Sequence, residues 1–122
     1  MQSFRDLKVW QRSHALVLAV YRLSEAFPSQ ERFGVVSQLR RAAVSVPTNI
    51  AEGSKRRTPQ DYARFLNLAE ASLAETEYLL TLCRDLGYLA GEVTEPLLLE
   101  ASEISRMLYA LRGKVEQGGP TE

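Results

Sequence analysis

Along nearly the whole chain, apolar residues return every three or four positions, and no strand-like alternation lasts beyond a few residues. A strand turns its side chains over at every second residue, whereas a helix brings positions three and four apart onto one face. The spacing therefore dictates helices. Its least ordinary stretch is Val35, Leu39, Ala42, Val46 and Ile50, because Pro47 lies inside it. A proline there withdraws one backbone N–H and crowds the carbonyl of Ala43, so a kink is expected in that helix.

Four segments can be marked off. The first runs from about Phe4 to Ala26, with Ser3 and Asp6 as a capping-box pair and Pro28 as its stop. Its apolar rows are Trp10, Val17 and Tyr21 beside Val9, Leu16, Val20 and Leu23. The second runs from about Phe33 to Gly53 and is followed by the basic loop Ser54-Lys55-Arg56-Arg57. The third has a well-marked start: Thr58 as cap, Pro59 at the first helical position, and Asp61 able to close the box. Gly87 is placed to end it in a left-handed conformation. The fourth begins near Val93 or Pro96 and carries its stripe through Leu97, Ala101, Ile104, Leu108, Leu111 and Val115. Helices of roughly 20 to 30 residues with short connections predict an all-α fold, an antiparallel up-down-up-down four-helix bundle. It should form one domain over residues 1–117, followed by a flexible tail at 118–122.

The chain of 122 residues can bury a core without help from disulfides or metal. Its one cysteine, Cys83, sits on the third helix's apolar stripe, where an inert core thiol is expected, and a reducing compartment fits best. No apolar run nears the ~20 residues that span a bilayer. The N-terminus lacks the pattern of a signal peptide, so a cytoplasmic location is expected. Net charge is zero but unevenly spread. Residues 1–64 carry 11 cations and 5 acids, and residues 65–122 carry 4 and 10. Twelve of the cations are arginine, whose planar fork suits phosphate and carboxylate. A basic half and an acidic half point to an anionic partner or to complementary contact between subunits, with ordinary solvated helix faces as the alternative.

On a helical wheel the apolar residues of the second helix spread over about 200°, against the somewhat more than ~100° that one core-facing stripe needs. Val36, Val44, Pro47 and Ala51 form the surplus side, and they are read as a subunit interface. The alternative is a central helix covered by two neighbours of its own bundle. On the opposite face Arg41, Ser45, Thr48, Glu52 and Arg56 fall within about 80°, as a polar face able to meet another helix or subunit or simply to face water.

Enzyme readings find little support. His14 is the one histidine: its position suggests no Ser-His-Asp or Cys-His pairing, a di-iron bundle would need two such residues, and no glycine-rich phosphate loop is present. Neither a metal nor a cofactor is expected. Glu100-x-x-Glu103 places two carboxylates on one face, as in all-helical Mg-dependent nucleotide pyrophosphatases. Such a site needs further carboxylates from a facing helix, for which Glu70, Glu75 or Glu77 are available.

The stretch from Gln38 to Gly53, Gln-Leu-Arg-Arg-Ala-Ala-Val-Ser-Val-Pro-Thr-Asn-Ile-Ala-Glu-Gly, resembles the signature of proteins encoded in 23S rRNA intervening sequences. Leu7-x-Val9-Trp10, Phe27-Pro28, Phe65-Leu66, Ser72-Leu73-x-Glu75 and Leu86-Gly87-Tyr88-Leu89 follow the same pattern in order, with Val35 and Ala71 as small departures. The resemblance implies a bundle that assembles as a homopentameric ring and has no established enzymatic activity. The chain is also similar to the accessory protein of diversity-generating retroelements, a pentameric barrel that binds nucleic acid and a reverse transcriptase. RNA is therefore the expected partner, held with little base readout by Arg40, Arg41, Lys55, Arg56, Arg57 and Arg64. A protein-binding assembly scaffold is the alternative.

Overall fold

The structure, a computed structural model, describes residues 3–118. Apart from Gly118, the expected tail of 118–122 lies outside the described residues. The described chain holds four α-helices and no strand: α1 (Lys8–Ser24), α2 (Val35–Gly53), α3 (Pro59–Asp85) and α4 (Gly91–Glu116). Each helix packs on its sequence neighbour, and α4 closes the circle on α1, which gives the antiparallel up-down-up-down bundle. The α2–α3 seam is the most extensive and the α1–α4 seam the thinnest. No helix among the described residues is long and apolar enough to cross a membrane.

Local chemistry sets most helix ends. Thr58 is extended and its hydroxyl accepts from the Asp61 N–H at 3.1 Å, with Pro59 opening α3. At the other end Gly87 takes φ +86°, which lets Tyr88 N–H reach the Cys83 carbonyl at 2.8 Å and Gly87 N–H reach that of Arg84 at 3.0 Å. This is the paired closure that satisfies a helix's last carbonyls. Three boundaries differ from the sequence reading. Ser3 caps a short 3-10 turn, Phe4–Asp6, and Leu7 is extended, so α1 begins at Lys8. A second 3-10 turn, Ser29–Glu31, precedes α2, which leaves Phe33 in a turn outside the helix. α4 begins at Gly91, ahead of Val93, and carries Pro96 within it. The carbonyl that Pro96 cannot serve is that of Glu92, on an exposed turn where water can replace the lost donor. Pro47 lies inside α2, which spans Val35–Gly53 as one element.

The core divides along the bundle into two clusters. One centres on Ile50, Leu66, Leu73, Ile104 and Leu108, and the other on Val20, Leu39, Leu79, Leu80 and Cys83. Buried hydroxyls are satisfied locally: Ser13, Thr76 and Thr94 donate to carbonyls four residues back. Burial, with the Glu31 charge adding to it, pushes the Cys83 thiol up to about 11, so the thiolate nucleophile is scarce at neutral pH.

At the crowded end of the α2–α3 seam, Gly53 acts through size. A Cβ there would lie 2.7 Å from the Cβ of Phe65 and 3.0 Å from a Tyr62 ring carbon. Neither helix can give way without moving backbone. Gly53→Ala is therefore expected to cost about 1–3 kcal/mol in thermal or urea unfolding, in the range of core overpacking.

Two arginine forks tie the acidic helices in place. Arg12 on α1 grips Glu100 on α4 through Nε at 2.8 Å and a terminal nitrogen at 2.7 Å. Arg112 on α4 grips Glu70 on α3 at 2.6 and 3.3 Å. The hydrogen bonds from Arg12 hold the Glu100 carboxyl below its ordinary 4.5, with partial desolvation opposing them. A carboxylate depressed in the folded state adds stability above its unfolded value, and loses that contribution as the pH falls through its folded value. Wild type and Glu100→Gln should thus differ most in thermal stability above pH 4.5 and converge as the pH falls from there through the lowered folded value.

Candidate nucleic-acid interface

The corner between α2 and α3 is built by three sequence features. Gly53 allows close helix approach, a four-residue loop turns the chain, and the Thr58 cap fixes where α3 starts. The result places Lys55, Arg56, Arg57 and Arg64 around one recess with Thr58, Gln60 and Asp61. Four cations meet a single carboxylate there. Arg64 bonds Asp61 at 2.9–3.0 Å and Arg56 approaches it at 3.8 Å. The guanidinium carbons of Arg56 and Arg64 lie 4.5 and 4.6 Å from the centroid of the Phe65 ring. Cation–π contact of this kind orients the two forks while leaving donors free. Lys55 and Arg57 make no ion pair among the described residues.

The other two arginines of the expected patch stand apart. Arg40 is turned toward α1, where it bonds the Ser24 hydroxyl at 2.8 Å and the Tyr21 carbonyl at 3.2 Å and lies 4.5 Å from the Tyr21 ring centroid. It ties α2 to the end of α1, roughly 22 Å along α2 from Lys55 at 1.5 Å per residue. Arg41 is exposed and makes no ion pair among the described residues. It lines a polar cleft on the α2–α3 seam with Phe33, Ser37, Gln38, Ser45, Ser72 and Glu75. The sequence reading missed Phe33, which is 88% exposed. The available signal was an aromatic that falls outside the second helix's apolar stripe.

Of the four residues expected at a subunit interface, Val36 and Pro47 are buried in the chain's own packing. Much of the wide apolar arc of α2 is covered because α1 and α3 flank it on two sides. Val44 remains 37% exposed and Ala51 half-buried. Together with Pro47 they line a groove whose other wall is Phe4 of the N-terminal 3-10 turn with Trp10, His14 and Val17 of α1. His14 stacks on Trp10 with centroids 5.1 Å apart and rings 10° from parallel. The groove is thus an aromatic and aliphatic surface whose α1 half did not emerge from the sequence.

The carboxylates weighed for a pyrophosphatase are mostly engaged elsewhere. Glu100 is held by Arg12, Glu103 by Arg106 at 3.2 Å, Glu70 by Arg112, and Glu75 accepts from Gln38 at 3.4 Å. Burial raises the Glu77 carboxyl above its ordinary value. Among the described residues no three His, Cys, Asp or Glu side chains come together as a metal would need.

Fold and site together define a small all-α bundle protein with an arginine-rich corner. Residues 5–110 match the family described as 23S rRNA-intervening sequence protein, and the chain belongs to that family. A solved relative in structure is a protein of unknown function from the S23 ribosomal protein family of Bacteroides thetaiotaomicron VPI-5482. It superposes with a TM-score of 0.79 at 26% sequence identity, over 85% of this chain and 97% of that one. No curated protein matches the chain.

Proposed function

We propose that the protein is a non-enzymatic, oligomeric bundle that associates with RNA through the α2–α3 corner and works in the cytoplasm. The observation that carries this reading is the convergence of Lys55, Arg56, Arg57 and Arg64 on one recess against Asp61 alone. Arginine forks bind phosphate oxygens in pairs, and an uncompensated cluster of them attracts a polyanion before it attracts a neutral surface. The family's tie to 23S rRNA intervening sequences supports RNA as that polyanion. One corner offers few phosphate contacts, so affinity depends on repetition. The α1–α2 groove supplies a surface for a second copy, and a ring, pentameric as the family resemblance implies, repeats the corner around its axis. The competing reading, an assembly scaffold, draws on the pairing of Arg56 and Arg64 with Asp61, which could serve packing alone.

The test is fluorescence anisotropy of a labelled 23S rRNA fragment across a salt series. Phosphate-dominated binding should weaken with a log–log slope of about −0.7 per contact on single strands. Absence of binding even at low salt would sink the RNA reading and leave the scaffold.

A further inference from the structure

Phe33 is far more exposed than a folded chain needs a phenylalanine to be, at 88%. Its backbone is nonetheless pinned. It lies between the 3-10 turn Ser29–Glu31 and the first residue of α2. The Glu31 carboxylate accepts from the Val35 N–H at 3.4 Å and from the Tyr88 hydroxyl at 2.7 Å. The Gly34 N–H also donates to the Glu31 carbonyl at 3.0 Å. The turn that presents the ring is thus fastened to the start of α2 and to Tyr88 just past α3, and the Arg32 guanidinium carbon lies 5.5 Å from the ring centroid.

Phe33 borders the polar cleft of the α2–α3 seam. Arg41, on one wall, has no ion-pair partner among the described residues. Ser45 and Ser72 bridge the seam at 2.9 Å, and Gln38 reaches Glu75. The lining holds one fixed positive charge, hydroxyls and an amide that donate or accept, and one carboxylate that accepts only. A protein partner would find its apolar anchors in the α1–α2 groove instead. The seam continues from Arg41 along α2 to Arg56 and the basic corner.

We propose that this cleft takes a nucleotide of single-stranded RNA, with the base stacked on Phe33 and the adjoining phosphate on Arg41. The inference rests on the RNA reading above and adds the form of RNA recognised. Single strands are read by splayed bases that stack on aromatic rings and hydrogen-bond through their edges. Duplex bases are already stacked on each other and cannot do so. Glu75 repels phosphate, so it faces the base edge, which carries donors, and leaves the backbone to Arg41. The strand then runs along the seam to the corner cations.

The experiment compares an unstructured single-stranded RNA with a blunt duplex of equal length, by anisotropy on the full chain. Phe33→Ala should weaken single-strand binding about tenfold, the scale of one lost base–aromatic stack. It should leave duplex binding, held by the corner, unchanged, and Phe33→Tyr should restore the single-strand affinity. Arg41→Ser should lower single-strand affinity and make its salt slope shallower. If Phe33→Ala leaves the single-strand affinity intact while RNA still binds, this inference fails and the RNA reading survives. If wild type binds neither RNA, both fail. A drop in oligomer mass for Phe33→Ala would make Phe33 a subunit contact and overturn the inference.

Discussion

Reversing two charges at the corner, Arg56→Glu with Arg57→Glu, is expected to cut RNA affinity by about a hundredfold or more at low salt, since two phosphate contacts become two repulsions. The remaining salt slope should be shallower by about 1.4, at 0.7 per lost single-strand contact. Light scattering should give the same oligomer mass as wild type. Arg56 and Arg57 differ in an informative way. Arg56 sits on Phe65 and near Asp61, whereas Arg57 makes no ion pair among the described residues. Arg57→Glu alone therefore tests phosphate binding with the packing of the corner untouched. If the double variant breaks the oligomer, the corner arginines serve subunit contact and the scaffold account takes over.

Val44→Glu should convert the assembly to a species near 13.7 kDa, and Ala51→Glu should do the same. Both positions line the groove against Trp10 and His14, and Glu52 already stands at its edge. A second carboxylate buried there without a cation would cost several kcal/mol, enough to dissolve an interface of ordinary affinity. Neither substitution enters the core, so circular dichroism should remain helical. Val36 and Pro47 are unsuitable for this test because both are buried and charge there would attack the fold itself. A wild-type monomer at micromolar concentration would refute the oligomer, and unchanged mass in both variants would move the interface to another face.

The fold was legible because its signals are local. Thr58-Pro59-x-Asp61 and Gly87 act within a single turn, and the three- and four-residue spacing names each buried face without knowledge of neighbours. What stayed hidden depended on partners far along the chain. A wheel drawn for α2 counts apolar width but cannot say that the folded bundle buries Val36 while leaving Val44 open. Arg40 looked equivalent to Arg41 in sequence, yet the 100° step between neighbouring residues aims it at Ser24 and Tyr21 rather than at water. Glu100 and Glu103 share a face as expected, but Arg12, 88 residues away, decides what Glu100 does. The corner cations were readable as a cluster because the loop is short. The groove's N-terminal wall was not, because Phe4, Trp10 and His14 meet α2 only through folding.

The thin seam between α1 and α4 carries a consequence for how the molecule breathes. With the least contact on that side, α1 is the element whose amides should exchange with deuterium through the smallest opening, leaving α2, α3 and α4 closed. The same helix supplies Trp10 and His14 to the groove proposed to receive a second copy. Assembly would then suppress an excursion that the isolated subunit makes freely. Slower deuterium uptake between Lys8 and Ser24 would report the association state, and a protease would find the dissociated chain first at its N-terminal quarter.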